Sequence, residues 1–165
     1  MTLRKQGAVM RRTKTTIDQI DCKIIELLQQ DGRLSNSAIA RDLGISEATA
    51  RTRLKRLLNE GFIQIVAVSN PIKLGFEVTG IIGISVDSKK LDTVAEELNK
   101  LVPVWYVVKT TGSVDIYTEF VVKSIDELND LIYNKINKID GVIRTDTSII
   151  LEFMKRRYDW GSAGQ

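Results

Sequence analysis

The chain has 165 residues, 43% hydrophobic and 27% charged, a balance suited to one globular domain or two small ones. It contains no histidine, which removes the commonest general base and the commonest zinc ligand, and its single cysteine, Cys22, excludes an intrachain disulfide and fits a cytoplasmic location. Net charge is only +3 but unevenly placed: Met1–Val66 holds 12 Lys/Arg against 7 Asp/Glu, the remainder 12 against 14, so a polyanion would be met by the first half.

Residues 1–16 carry Arg4, Lys5, Arg11, Arg12 and Lys14 without apolar periodicity. They read as a basic arm or, equally, as a solvated tail, and no apolar stretch follows them as a secretory signal would need. Elsewhere the longest apolar stretches, such as Gly80–Ile84, are strand-sized, so no membrane partner is expected.

From Ile17 to Ile63 the period is helical. Ile17, Ile20, Ile24, Leu27 and Leu28 form one stripe of a first helix that stops at Asp31-Gly32. Ser35 opens a short second helix with Ile39, Ala40 and Leu43 inward, ended by Gly44. Ser46 caps a third helix reaching about Asn59, with Gly61 as its stop. Cys22, beside Ile24 and Ile25, reads as a small structural hydrophobe.

The small Ala40 suits a close crossing of the second and third helices, and Gly44 suits the tight turn between them. Residues 17–65 therefore read as a helix-turn-helix, winged if Phe62–Val66 forms the strand its composition suggests. Ser46, Glu47, Thr49, Arg51, Thr52, Lys55 and Arg56 fall largely outward on the third helix. Short polar side chains early and basic ones later are what a helix in the major groove of double-stranded DNA presents. A solvated charged face on a three-helix unit is the plainer reading. The charge asymmetry and the Ala40/Gly44 spacing weigh against it.

Ser69-Asn70-Pro71 breaks the pattern, and a hinge is expected over 66–77. Residues 78–153 then hold an approximate repeat: strand 78–87, helix 89–101 and strand 104–111, followed by strand 114–122, helix 124–138 and strand 142–152, with 154–165 as a tail. Two βαβ units in series predict a ferredoxin-like βαββαβ sandwich, giving an α+β chain overall. Both helices would cover one sheet face, and Ile81, Val107 and Ile116 are expected on the other, which invites self-association.

Four linked segments carry a resemblance: Ile20–Arg33, Ile39–Ser46, Arg53–Leu57 and Glu60–Ile63. Together they resemble the Lrp/AsnC family, the leucine-responsive or feast/famine transcription regulators, over roughly residues 17–153. The resemblance implies dimers built by sheet-to-sheet packing, higher assemblies such as octamers, and an amino acid effector bound between dimers. It also places the Gly112 turn, Thr110 to Ile116, at that pocket, where Gly112 and Asp115 match the family pattern and Val114 departs from it.

The residues of the turn suit that role. A bound amino acid needs an acceptor for its ammonium, which Asp115 offers, and donors for its carboxylate, which the backbone around Thr111, Gly112 and Ser113 offers. Thr145, Asp146 and Thr147 are the polar residues expected on a facing wall. A plain hairpin turn with Asp115 in solvent explains the same residues without a ligand.

No enzymatic role is expected, because histidine is absent and no phosphate-binding glycine loop is present, and no cofactor is called for. Acidic pairs such as Glu96-Glu97 sit on the solvated face of an amphipathic helix. The alternative to an effector-gated regulator is an architectural DNA-binding protein that responds to no effector. RNA binding is disfavoured because the strands show no aromatic stacking platform.

Overall fold

The computed structural model describes residues 16–155, which fall into two compact units divided between Ala67 and Val68. The five basic residues of the expected arm, and most of the tail, lie outside the described residues.

The first unit holds three helices: α1 (Gln19–Gln30), α2 (Asn36–Leu43) and α3 (Glu47–Asn59). Each starts at a side-chain cap. The Asp18 carboxylate accepts from the Asp21 N–H at 2.9 Å while the Asp21 carboxylate accepts from the Asp18 N–H at 3.0 Å, a reciprocal capping box. Ser35 Oγ accepts from the Ala38 N–H at 3.2 Å and Ser46 Oγ from the Thr49 N–H at 3.1 Å. α2 ends at Gly44, whose φ of +66° is a left-handed conformation that glycine takes without strain.

Ile24, Ile25 and Leu28 of α1 pack with Ile39, Ala40, Ala50 and Leu57 in one core. Burying each large aliphatic side chain there contributes about 1.5–3 kcal/mol. The strand expected over 62–66 does not form. A lone extended segment needs a neighbouring strand for its backbone groups, and here Phe62, Ile65 and Val66 are exposed instead.

The second unit is the expected βαββαβ sandwich. Strands β1 (Val78–Val86), β2 (Val104–Lys109), β3 (Ile116–Val122) and β4 (Val142–Ile149) form an antiparallel sheet in the order β2-β3-β1-β4. Helix α4 (Leu91–Leu98) follows a 3-10 turn at Ser88–Lys90. Helix α5 (Ile125–Asn129) continues through a π-helical stretch, Asp130–Lys135, into a 3-10 turn at Ile136–Lys138. Val94 and Leu98 of the first helix, with Leu128, Leu131 and Ile136 of the second, pack on Ile82, Ile84, Val86, Ile116, Phe120 and Val122.

The contents of the open face differ from expectation. Ile116 is fully buried and Val107 packs against the core, both on the helix-covered side. For Val107 the reason is a bulge: Val104 pairs with Phe120 but Tyr106 pairs with Glu119, so Trp105 is an extra residue and every later β2 side chain changes face. Ile116, on β3, pairs with Ile84 and alternates with Thr118 and Phe120, which puts it on the covered side. The open face carries Ile81, as expected, together with Tyr106 and Tyr117, all exposed, with Val108 and Val121 half-buried. On the covered face, Gly80 lets the buried Phe120 ring lie against the backbone: a Cβ there would stand 2.7 Å from the ring.

Candidate functional site

Each unit carries one candidate surface. On the first, α3 presents two stripes beside its buried one of Ala50, Leu54 and Leu57.

The outward stripe holds Glu47, Arg51 and Lys55, one helical turn apart and all exposed. Arg51 Nη2 donates to Glu47 Oε1 at 2.6 Å, while Lys55 has no partner among the described residues. The hydroxyls beside them are engaged locally. Ser46 and Thr49 share a hydrogen bond of 2.8 Å, and Thr52 Oγ1 donates to the Ala48 carbonyl at 2.9 Å. Ser46 is thus the cap of α3 as well as the first residue of its exposed edge.

The second stripe faces α1, and Arg56 belongs to it rather than to the outward one. Arg53 Nη1 donates to Asp18 Oδ2 at 2.6 Å and to Asp21 Oδ1 at 2.9 Å, and Arg56 Nη2 donates to Asp21 Oδ2. The Asp21 side chain is 1% exposed, against 26% for Arg53 and 36% for Arg56. A sealed carboxylate with two half-exposed guanidiniums therefore ties the start of α1 to the middle of α3. The Asp21 N–H, then the Arg53 guanidinium, hold the Asp18 carboxyl below the usual value of 3.8, and in turn Asp18, then Asp21, raise Arg53. Asp18, Ala48, Thr49, Thr52, Arg53 and Arg56 line an open hollow of about 510 Å³ beside this network.

Sequence reasoning placed no function on Asp18, Asp21 or Arg53. Two spacings carry the signal: Asp18/Asp21 three apart at a helix start, and Arg53/Arg56 three apart on one face. The partnership between them is tertiary.

The second surface is the turn between β2 and β3. Thr111, Gly112 and Ser113 are exposed there, and Gly112 has φ +141°, which disfavours any residue with a Cβ. The Thr110 N–H donates to the Asp115 carbonyl at 2.9 Å and Thr110 Oγ1 to the Val114 carbonyl at 2.8 Å, closing the turn. Asp115 is half-buried rather than solvated. Its N–H donates to the Ile84 carbonyl at 3.0 Å and its Oδ2 accepts from the Val86 N–H at 2.9 Å, so it pins the turn to the end of β1.

The facing residues on β4 do not stand together. Strand alternation puts Thr145 opposite Ile84 and Thr147 opposite Ile82, both on the helix side, where Thr145 Oγ1 donates to Asn137 Oδ1 at 3.1 Å. Asp146 pairs with Gly83 on the open face, is exposed, and has Arg144 at 3.8 Å. A Cβ on Gly83 would lie 3.2 Å from Val114 and 3.3 Å from Tyr117. Asp146 therefore shares this part of the open face with Val114 and Tyr117. Among the described residues no cluster of His, Cys, Asp and Glu is arranged to hold a metal ion.

Two family models match the chain. Residues 17–64 match a winged helix-turn-helix DNA-binding model and residues 79–160 match the Lrp/AsnC ligand binding domain. An uncharacterized HTH-type transcriptional regulator of Pyrococcus furiosus is 40% identical over 148 residues, covering 89% of this chain and 97% of that protein. The HTH-type transcriptional regulator LrpA of Pyrococcus horikoshii is 38% identical over 140 residues, 84% of this chain and 99% of LrpA. Among solved structures, AsnC of E. coli superposes with a TM-score of 0.79 at 30% identity, covering 86% of this chain and 97% of that one. A Neisseria meningitidis transcriptional regulator in complex with L-Met superposes with a TM-score of 0.80 at 23% identity, covering 87% and 95%, and shares the fold.

Proposed function

The chain belongs to the Lrp/AsnC family of DNA-binding helix-turn-helix transcription regulators, and on that footing we propose that it reads a specific duplex site as a dimer, tuned by an amino acid. The observation that carries the DNA reading is the outward stripe of α3, where Arg51 and Lys55 follow a short-side-chain first turn. Ser46, Glu47, Thr49 and Thr52 would meet base edges or the near backbone, Arg51 a guanine, and Lys55 a phosphate. Leaving Glu47 for a base costs Arg51 little, because an exposed pair of this kind is worth about 0.3–0.5 kcal/mol.

Dimerisation is supported by the open sheet face, where Ile81, Tyr106 and Tyr117 stand uncovered by any helix. A dimer would set two α3 helices on successive major grooves about 34 Å apart, and an octamer would repeat the arrangement. The effector reading is supported by the Lrp/AsnC ligand binding domain match and by the L-Met named for the Neisseria neighbour. Gly112, with no Cβ to block close approach, the backbone donors of Thr111 and Ser113, and Asp115 would hold the ligand, with Asp146 as the second carboxylate within the open face. The free Asp115 Oδ1 would take the ammonium while Oδ2 keeps its bond to Val86. Thr145 and Thr147 would act only through the helices behind the sheet.

The test is a thermal-stability titration with each proteinogenic amino acid, followed by duplex binding with and without the one that stabilises. Stabilisation by one or a few amino acids, with a coupled change in DNA affinity, is the expected result. Unchanged stability throughout, with DNA binding intact, supports the architectural alternative. Light scattering on Tyr117→Glu, which places a charge on the open face, should shift the protein toward monomer.

A further inference from the structure

The second stripe of α3 carries chemistry that the reading above leaves unused. Asp21 is sealed and holds both guanidiniums, whereas Asp18 is 53% exposed and touches Arg53 through its outer oxygen alone. The two Asp18 oxygens have separate tasks: Oδ1 caps α1 and Oδ2 sits on Arg53. A guanidinium offers five N–H donors, so neither arginine is saturated by the bonds it makes here. Both line the hollow beside the outward stripe of α3. The four charges sum to zero, so the arginines add nothing to long-range attraction for DNA while Asp18 stays in place.

We propose that Arg53 and Arg56, held by Asp21, form a seat for one backbone phosphate of the duplex lying against α3, and that Asp18 is an internal competitor for that seat. The same planar fork binds carboxylate and phosphate, so Asp18 occupies in the free protein the place a phosphate oxygen takes in the complex. Its pair with Arg53 is exposed and readily exchanged. Asp21 keeps both arginines placed when the exchange happens, so the seat is formed before DNA arrives. The competitor lowers affinity for every sequence alike, which leaves discrimination to Arg51 and its neighbours. This inference rests on α3 facing the duplex.

The test uses the full chain, a short fluorescein-labelled duplex of mixed sequence, and anisotropy over a salt series. Asp18→Asn removes the charge but keeps the cap, since asparagine caps helices as well as aspartate does. Wild type binds, and Asp18→Asn should bind about three- to tenfold tighter, as removing one negative charge near a phosphate predicts. Its salt slope should steepen by about 0.9. With Arg53→Gln in both partners of the comparison, the gain from Asp18→Asn should shrink to under about twofold, because competitor and seat are coupled.

Equal affinity of wild type and Asp18→Asn would overturn the proposal while leaving the DNA reading of α3 intact. So would a gain that persists undiminished with Arg53→Gln, which marks a general charge effect. Failure of wild type to bind any duplex at low salt would remove the reading of α3 itself, and the seat with it.

Discussion

Replacing Asp21 by asparagine tests the packing that orients α3. The two side chains have the same shape, so the change is electrical. The asparagine would keep one acceptor, but its other terminal position would become an amide facing a guanidinium, donor against donor. In the wild type the Asp21 carboxylate accepts from the Asp18 N–H at 3.0 Å, from Arg53 at 2.9 Å and from Arg56. Removing one partner of a fully buried pair costs about 3–5 kcal/mol. Arg53 and Arg56 are 26% and 36% exposed, so water recovers part of that, and the loss should be about 2–3 kcal/mol. For a unit of this size the helical transition, followed by circular dichroism, should fall by about 8–24 °C. A double-mutant cycle with Arg56→Leu should show coupling of about 0.5–3 kcal/mol. A loss under about 0.5 kcal/mol, the value of an exposed ion pair, would refute the claim that this carboxylate is sealed and shared.

Gly80→Ala should destabilise the sheet unit by about 1–3 kcal/mol or more in thermal melting, because Phe120 is buried and has nowhere to move. Gly83→Ala should cost less, because a Cβ there would stand 3.2 Å from Val114 and 3.3 Å from Tyr117, which need give only slightly. On a selected binding site, Arg51→Ala should cost about 1–3 kcal/mol and relax sequence preference. Lys55→Ala should weaken all duplexes alike and reduce the salt slope by about 0.9; identical effects from both would remove the assigned roles. The carboxyls of Asp18, Asp31 and Asp130 are all held low by hydrogen bonds, so the unfolded chain takes up protons first and stability must fall as pH drops below about 3.8. Chemical denaturation through that range should show the fall, and Asp18→Asn should make it shallower.

The elements were legible because their signals are local. Capping by Ser35 and Ser46, the glycine stop at Gly44, and the apolar periods of α1 to α3 act within a few residues. The βαββαβ order came from the same source, since each strand and helix has its own period and its own breakers. The charge asymmetry and the Ala40/Gly44 spacing marked the helix-turn-helix, and the linked segments marked the family.

The tertiary structure decided what depends on register and partnership. Val107 lies on the covered face because one extra residue, Trp105, shifts the phase of β2, and a period of two keeps no memory across a bulge; Ile116 lies there because its register on β3 sets it opposite Ile84 of β1. The strand suggested at 62–66 has the composition but no neighbour, and a strand exists only in pairs. Thr145 and Thr147 part from Asp146 because adjacent strand residues point to opposite faces. Arg56 turns from the outward stripe to Asp21, a residue 35 positions away, because a sealed carboxylate must be neutralised by whatever cations the fold brings beside it. Periodicity told which residues could be buried or exposed together; only the packed chain decided which charge meets which.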